Sequence, residues 1–354
     1  MTDEYANRFS SVQQRPAEDG STQVKEKIRE AQSNLKPKAA AEDFADNGMF
    51  SFIPMDPFAE EDDDTGADDD APLTFQDTHD LTWYRSNRVL GKGTFGAVYL
   101  GMSDSGVLAA LKYLTLRADA STEDLETEAE ALLELEHENV VQFISAAVLK
   151  KCLVFALEYV PGGSLITVLE GYDGKIPANV VKKFARDILN GLHYLHDQNV
   201  VHCDIKPHNV LVAADGTCKL TDFGSAVLGK KAGKRVGREP VPTNEVQSST
   251  TETTLRGTLK YMAPEVADGR EPIAASDIWS FGITVAELST GNLPWKLPKM
   301  SQLGFIQELG KGSIRPTLEG VDGGLRALIE RCWIPDPGSR PTAADLLNDP
   351  YLVA

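Results

Sequence analysis

Val201-His202-Cys203-Asp204-Ile205-Lys206-Pro207-His208-Asn209-Val210-Leu211, followed eleven residues on by Asp222-Phe223-Gly224, is the stretch from which the rest of the chain can be read. Asp204, Lys206 and Asn209 put a proton acceptor, a cation and an amide oxygen into one short loop. That set suits attack of a hydroxyl on a phosphoryl group. Asp204 would orient the hydroxyl, Lys206 would neutralise the transferring group, and Asn209 would hold a divalent cation. Asp222 adds a carboxylate for the same ion, and hard oxygen ligands beside phosphates suit Mg²⁺. Each element alone is compatible with a capped turn; their order and proximity are not.

Upstream, Gly91-Lys92-Gly93-Thr94-Phe95-Gly96-Ala97-Val98 has the pattern GxGxxGxV. In dinucleotide-binding folds the third glycine opens a helix, whereas here Ala97-Val98-Tyr99-Leu100 reads as a strand. A glycine loop between two strands lets backbone amides approach phosphate oxygens. Lys112 follows in Ala109-Ala110-Leu111-Lys112, on the next strand, where it would point at the α- and β-phosphates. Its acidic partner is expected from the following helix, read over 123–135, with Glu126, Glu128 and Glu130 as candidates. The helical wheel sets Glu130 aside and leaves Glu126 and Glu128 equivalent.

Around these residues the chain changes character. Tyr84–Leu90, Ala97–Met102 and Leu108–Leu114 read as strands, with glycines at the turns. Beyond Gly163 the segments read as helices, among them Asn179–His196 and Ser276–Thr290. The expectation is an α+β fold of two lobes, small and β-rich first, larger and helical second, with the site in the cleft.

As an ordered set these motifs resemble the eukaryotic protein kinases of serine/threonine type, over residues 83–352. The resemblance implies ATP and Mg²⁺ as cofactors and protein as substrate. It selects Glu128 as the partner of Lys112, counting back from His137-Glu138-Asn139-Val140-Val141. It makes Phe155–Ser164 the hinge, with Leu157 as gatekeeper and backbone groups of Glu158 and Val160 meeting adenine between Leu90, Val98, Ala110 and Leu211. It also implies that Thr258 bonds Asp204 and Lys206, that Glu265 pairs with Arg340, and that Asp277 braces the catalytic loop. Val201–Lys206, Pro161–Leu165 and Thr258–Glu265 are most similar to MAP kinase kinase kinases, especially plant-type members with Cys before the catalytic Asp, so MAP kinase kinases are the implied substrates. The other reading is a pseudokinase or scaffold that binds nucleotide without transfer; it commonly lacks one of Lys112, Asp204, Asn209 and Asp222, and all four are present.

Cys203 departs from the usual His-Arg-Asp, so it cannot pair with a phosphorylated activation loop. The activation segment, 222–265, is long, with a basic first half (Lys230, Lys231, Lys234, Arg235, Arg238) and a Ser/Thr-rich second half.

The 354 residues carry 35 Lys+Arg against 53 Asp+Glu, a net charge of −18, which argues against nucleic acid as a partner. Residues 1–80 hold 20 acidic and 7 basic side chains and read as a disordered acidic region, apart from a marginal helix at Val24–Leu35. Within it, Met49-Phe50-Ser51-Phe52-Ile53-Pro54-Met55-Asp56-Pro57-Phe58 is a hydrophobic island, expected to be a docking motif, and Glu60–Asp70 is an acidic run that the basic insertion would attract. The four cysteines form no CxxC pair, the N-terminus lacks a leader pattern, and no stretch is long and apolar enough for a bilayer, so the expected location is cytoplasmic. The basic insertion adds the nucleus as a second expected location.

Overall fold

The computed structural model describes residues 53–54, 73–77, 80–93, 96–115, 135–149, 152–228, 259–296, 300–321 and 323–353. The Val24–Leu35 helix, the 123–135 helix up to residue 134, and the insertion with Thr258 lie outside them.

The first lobe is an antiparallel sheet. Its long strands are β3 (Thr82–Gly93), β4 (Gly96–Ser103), β5 (Leu108–Thr115), β6 (Phe143–Val148) and β7 (Cys152–Glu158), in the order β3-β4-β5-β7-β6. The period of two sorts the side chains of β5. Ala109, Leu111 and Tyr113 join Trp83, Tyr99, Val154 and Ala156 in a buried cluster on one face. Ala110 and Lys112 therefore point to the other face, opposite Leu100 and Val98 in the register of β4. The Arg85 guanidinium stacks 4.4 Å from the Tyr99 ring, so the cluster is roofed by a cation rather than by water.

Two short strands extend the outer edge of β3. β1 (Ile53–Pro54) pairs with Lys92 and Gly91, and β2 (Thr74–Gln76) pairs with Thr82–Tyr84. At the β2–β3 turn the buried Asp77 carboxylate accepts from the Leu81 amide at 3.0 Å and from Trp83 Nε1 at 2.8 Å. Residues 74–77, which the sequence placed with the 1–80 region, thus pair with this sheet, while most of 1–80 lies outside the described residues. Thr-Phe-Gln-Asp is too polar to read as a strand. Only the pairing with β3 and the cap on Trp83 order it.

The second lobe is built on two helices. α1 (Leu165–Gly171) leads into α2 (Ala178–Asp197), whose Val181, Phe184, Ala185, Ile188, Leu189, Leu192 and Leu195 form one buried stripe at the helical period. α2 approaches the strand segments beneath the cleft so closely that a Cβ on Gly191 would stand 2.8 Å from the Asn139 carbonyl. Between the lobes and under the cleft run short strands: β8 (Val200–Val201), β9 (Val210–Val212), β10 (Cys218–Leu220) and β11 (Val227–Leu228). Pairings β10–β9 and β11–β8 hold the two signature loops side by side. After α3 (Pro264–Ala267) comes α4 (Ala274–Thr290), buried continuously from Ser276 to Leu288. A helix buried on every side sits in the centre of the lobe, and its polar members, Ser276, Asp277, Ser280, Thr284 and Glu287, must find partners there. α4 stops at Gly291, whose φ of 73° and whose approach to Gly174 (2.1 Å from a built Cβ to the carbonyl oxygen) admit only glycine. Four further helices, α5 (Gln302–Gly310), α6 (Gly323–Cys332), α7 (Ala343–Leu347) and α8 (Pro350–Val353), complete this lobe among the described residues.

Glu265 on α3 and Arg340 before α7 form a buried pair, with guanidinium–carboxylate distances of 2.8 and 3.1 Å. Arg340 also donates to the carbonyls of Ile334 and Ala275, and Ser276 Oγ donates to Glu265. Burial alone would raise the Glu265 carboxyl, but the hydrogen bonds and charge of Arg340 outweigh it and hold the group below its ordinary 4.5. Such a pair adds little over an apolar contact, yet losing one member strands a charge. Arg340→Met should lower the unfolding free energy by about 3–5 kcal/mol, read by urea denaturation. Because the folded value is depressed, the wild-type contribution is present above pH 4.5 and is lost as pH falls through the folded value, so the difference between the two proteins should shrink in acid.

Candidate active site

The loop after β8 makes a turn that most residues avoid. Cys203 has φ 66° and Asp222, at the start of the second signature, has φ 64°. Non-glycine residues pay for the left-handed region, and tertiary bonds must hold them there. The holder is Asp277 on α4, with no solvent exposure. Its Oδ2 accepts from the His202 amide at 2.8 Å and from His196 Nε2 at 2.9 Å, while Oδ1 accepts from the Cys203 amide at 2.8 Å. His202 then passes the constraint on: its Nε2 meets the Thr221 carbonyl at 2.9 Å, and its ring lies 5.1 Å from that of Phe223. The expectation that Asp277 braces the loop agrees with this geometry. His196 as a third donor was not legible, since on its helix it reads as one more last-turn residue.

On this frame the reactive side chains converge. Asp204 Oδ2 accepts from Lys206 Nζ and from Asn209 Nδ2, both at 2.8 Å, and Asn209 Nδ2 also reaches the Asp204 carbonyl at 2.8 Å. Lys112, arriving from β5 in the other lobe, donates to Asp222 Oδ1 at 3.0 Å. Three of the buried oxygens without a partner among the described residues belong to these side chains: Asp204 Oδ1, Asn209 Oδ1 and Asp222 Oδ2. Orphaned buried oxygens are costly unless a ligand satisfies them. Asn209 Oδ1 and Asp222 Oδ2 are hard donors that fit a divalent cation held beside phosphate oxygens. Asp204 Oδ1 is left for a hydroxyl.

The charge balance favours that use. Burial raises the Asp204 carboxyl, and the Asp222 charge adds to this, while Lys206 opposes both; the net shift is upward. A carboxylate whose proton affinity is raised is a better acceptor from a hydroxyl. Burial also pushes the Cys203 thiol up, reinforced by the Asp277 charge, and Sγ donates to the Val201 carbonyl at 3.4 Å. A thiol held protonated in this way is a poor redox nucleophile.

The adenine end is less complete. Val98 and Val160 are buried, and Leu90, Ala110, Leu157 and Leu211 are half-buried. The Glu158 amide donates to the Gln142 carbonyl at 2.8 Å, so its carbonyl is the backbone group it can offer a base. Its side chain is turned away to Lys219, 3.0 Å distant, and to the Gln142 amide, a pairing the sequence did not suggest. Behind Leu157 a small cavity is lined by Lys112, Phe143, Phe155 and Asp222. Gly91, Lys92, Gly93 and Gly96 are in the β3–β4 hairpin; Thr94 and Phe95 at its tip, like Glu128 and Thr258, lie outside the described residues. Near Thr258, Tyr261 Oη donates to the buried Glu287 at 2.5 Å, Ser280 Oγ bonds the Tyr261 carbonyl, and Trp295 Nε1 bonds the Lys260 carbonyl. These anchors of the segment's end were also unread in the sequence, because their partners are 19 to 35 residues away.

Comparison with known proteins matches residues 84–352 to the family description "Protein kinase domain". The chain is 33% identical over 279 residues to mitogen-activated protein kinase kinase kinase 2 of Arabidopsis thaliana, covering 76% of this chain and 40% of that protein. It is 35% identical over 280 residues to the mitogen-activated protein kinase kinase kinase YODA of the same plant (76% and 29%), and 34% over 306 residues to a fungal mitogen-activated protein kinase kinase kinase of Pyricularia oryzae (83% and 32%). The chain spans less than half the length of these relatives.

Asp277→Asn retains shape but offers a single acceptor oxygen to amides that now bond two. It should destabilise the protein by about 1.5–3 kcal/mol and slow turnover with little change in nucleotide affinity; thermal melting and steady-state kinetics check both.

Proposed function

The chain belongs to the protein kinase domain family, and from that premise we propose that it transfers the γ-phosphoryl group of ATP to serine or threonine of protein substrates, with MAP kinase kinases as the substrate class. The observation that carries the reading is the convergence of three unpaired buried oxygens, on Asp204, Asn209 and Asp222, between the ammonium groups of Lys206 and Lys112. A scaffold that only binds nucleotide has no need to keep Asp204 Oδ1 unpaired. The MAP kinase kinase preference is supported by the names of the similar plant and fungal proteins.

In this reading Lys112 binds phosphate oxygens from the upper lobe, and Glu128 keeps it in place. The hairpin Gly91–Gly96, with Lys92, Thr94 and Phe95, covers the phosphates. Glu158 and Val160 offer backbone groups to the base. Asn209 and Asp222 would hold magnesium, which when bound neutralises phosphate charge. Asp204 Oδ1 accepts the hydrogen bond of the incoming hydroxyl and takes its proton as the new oxygen–phosphorus bond forms and the bond from the γ-phosphorus to the β–γ bridging oxygen breaks, releasing ADP. Lys206, already bonded to Asp204 Oδ2, stabilises the charge on the transferring group. Thr258 positions Asp204 and Lys206 for a serine- or threonine-bearing peptide. We place the enzyme in the reducing cytosol, supported by the unbridged thiols of Cys203, Cys218 and Cys332.

The test is transfer of label from γ-labelled ATP to MAP kinase kinases and to a generic basic protein. Asp204→Asn should lower kcat by about 10²–10⁴ while nucleotide binding persists; unchanged transfer in the variant would remove Asp204 from the mechanism. Because Cys203 cannot pair with a phosphate, phosphatase treatment should leave the rate within about twofold, as its loss would cost no charge-assisted bond at this position. A collapse of the rate would show that another cation serves.

A further inference from the structure

The hydrophobic island at 49–58 has no part in the site described above, yet two of its residues are placed against it. β3 is the outermost long strand of the upper sheet, and an exposed strand edge is a template for adding another strand. Among the described residues it is met on that edge by β2 at Thr82–Tyr84 and by β1 at the start of the glycine hairpin, with Ile53 opposite Lys92 and Pro54 opposite Gly91. Pro54 suits an outermost strand, because it lacks the amide proton that a further neighbour would need.

The connection is feasible within one chain. Tyr84 and Gly91 are seven residues apart on β3, roughly 23 Å at the usual strand rise. Residues 55–73, which must bridge that distance between β1 and β2, number nineteen and can reach more than twice as far. Nine of them are Asp or Glu and none is Lys or Arg. On β3, the exposed Arg88 lies between the two attachment points.

We propose that the partner of the hydrophobic island is this chain's own glycine hairpin: Ile53–Pro54 adds as an edge strand at Gly91–Lys92 and restrains the hairpin. The functional consequence rests on the kinase reading, in which this hairpin covers the phosphates and must lift for nucleotide to leave. A strand along Gly91–Lys92 ties the hairpin to the N-terminal region and slows that motion. The N-terminal region thereby becomes a brake on nucleotide exchange, and anything that captures the island releases it.

The test uses the full chain and two variants. Ile53→Pro removes the amide proton opposite Lys92, and Ile53→Val retains it. Hydrogen–deuterium exchange of the 91–93 amides and the dissociation rate of a fluorescent ADP with magnesium are measured in each. Ile53→Pro should exchange faster and release ADP about fivefold faster, the effect of one net backbone hydrogen bond, while Ile53→Val should match the wild type. Raising salt from low to high should move the wild type toward Ile53→Pro, because exposed charges are screened beyond about 8 Å at physiological salt. Equal exchange in wild type and Ile53→Pro would overturn the proposal. Protection that rises with protein concentration would overturn it in favour of a second copy. If ADP does not bind at all, the kinase reading fails, and the exchange measurement still decides the docking.

Discussion

The carboxylate of Asp277 is the interaction on which the site depends. A fully buried charge is tolerated only where hydrogen bonds replace its hydration, and here three donors do so: two successive backbone amides and an imidazole. In exchange the loop is held in a left-handed turn at Cys203 that it would not adopt alone. The consequences are local and directional. With Cys203 fixed, Asp204 is aimed into the cleft, and His202 is aimed at the Thr221 carbonyl. The second signature is therefore positioned by the first, and both are referred to a helix at the centre of the lower lobe.

That arrangement explains how a cluster of like charges coexists. Asp204 and Asp222 are both buried, and the Asp222 charge adds to what burial already costs the Asp204 carboxylate. Lys206 and Lys112 supply the compensating charge, one from the same loop and one from the opposite lobe. Half of the neutralisation is thus carried by the sheet, and the relative position of the lobes controls whether Asp222 is paired. The unpaired oxygens that remain are hard acceptors that a divalent cation and a hydroxyl would satisfy. Stability given up at the site is recovered elsewhere, in the apolar stripe of α2 and the buried length of α4.

The two sides of the cleft are held in different ways. The Cys203 position lacks the guanidinium that would read a phosphate, and its thiol is buried and protonated, so this point of the loop is structural. The end of the activation segment is held instead by Tyr261, Ser280 and Trp295. On the other side of the cleft, the outer edge of β3 receives two strands from the N-terminal region. One of them meets β3 at the glycine hairpin.

Residue type and order within short windows were sufficient for a large part of this. Strand period, glycine spacing and the Asp204–Lys206–Asn209 and Asp222 sets are local signals, so the two lobes, the cleft and the side chains that converge in it are legible in the sequence. The apolar stripe of α2 was legible for the same reason. What composition misjudged was residues 74–77, because a polar strand is ordered by its neighbour and by the Asp77 cap rather than by its own pattern. Periodicity likewise could not choose between Glu126 and Glu128, since both flank one stripe. Tertiary structure alone decided the donors gathered on Asp277, the turning of Glu158 to Lys219, the pairing of Lys112 with Asp222 and the meeting of β1 with the hairpin. Each of these joins residues far apart in the chain. Their distances are set by how helices and strands pack, and no local rule of sequence contains that information.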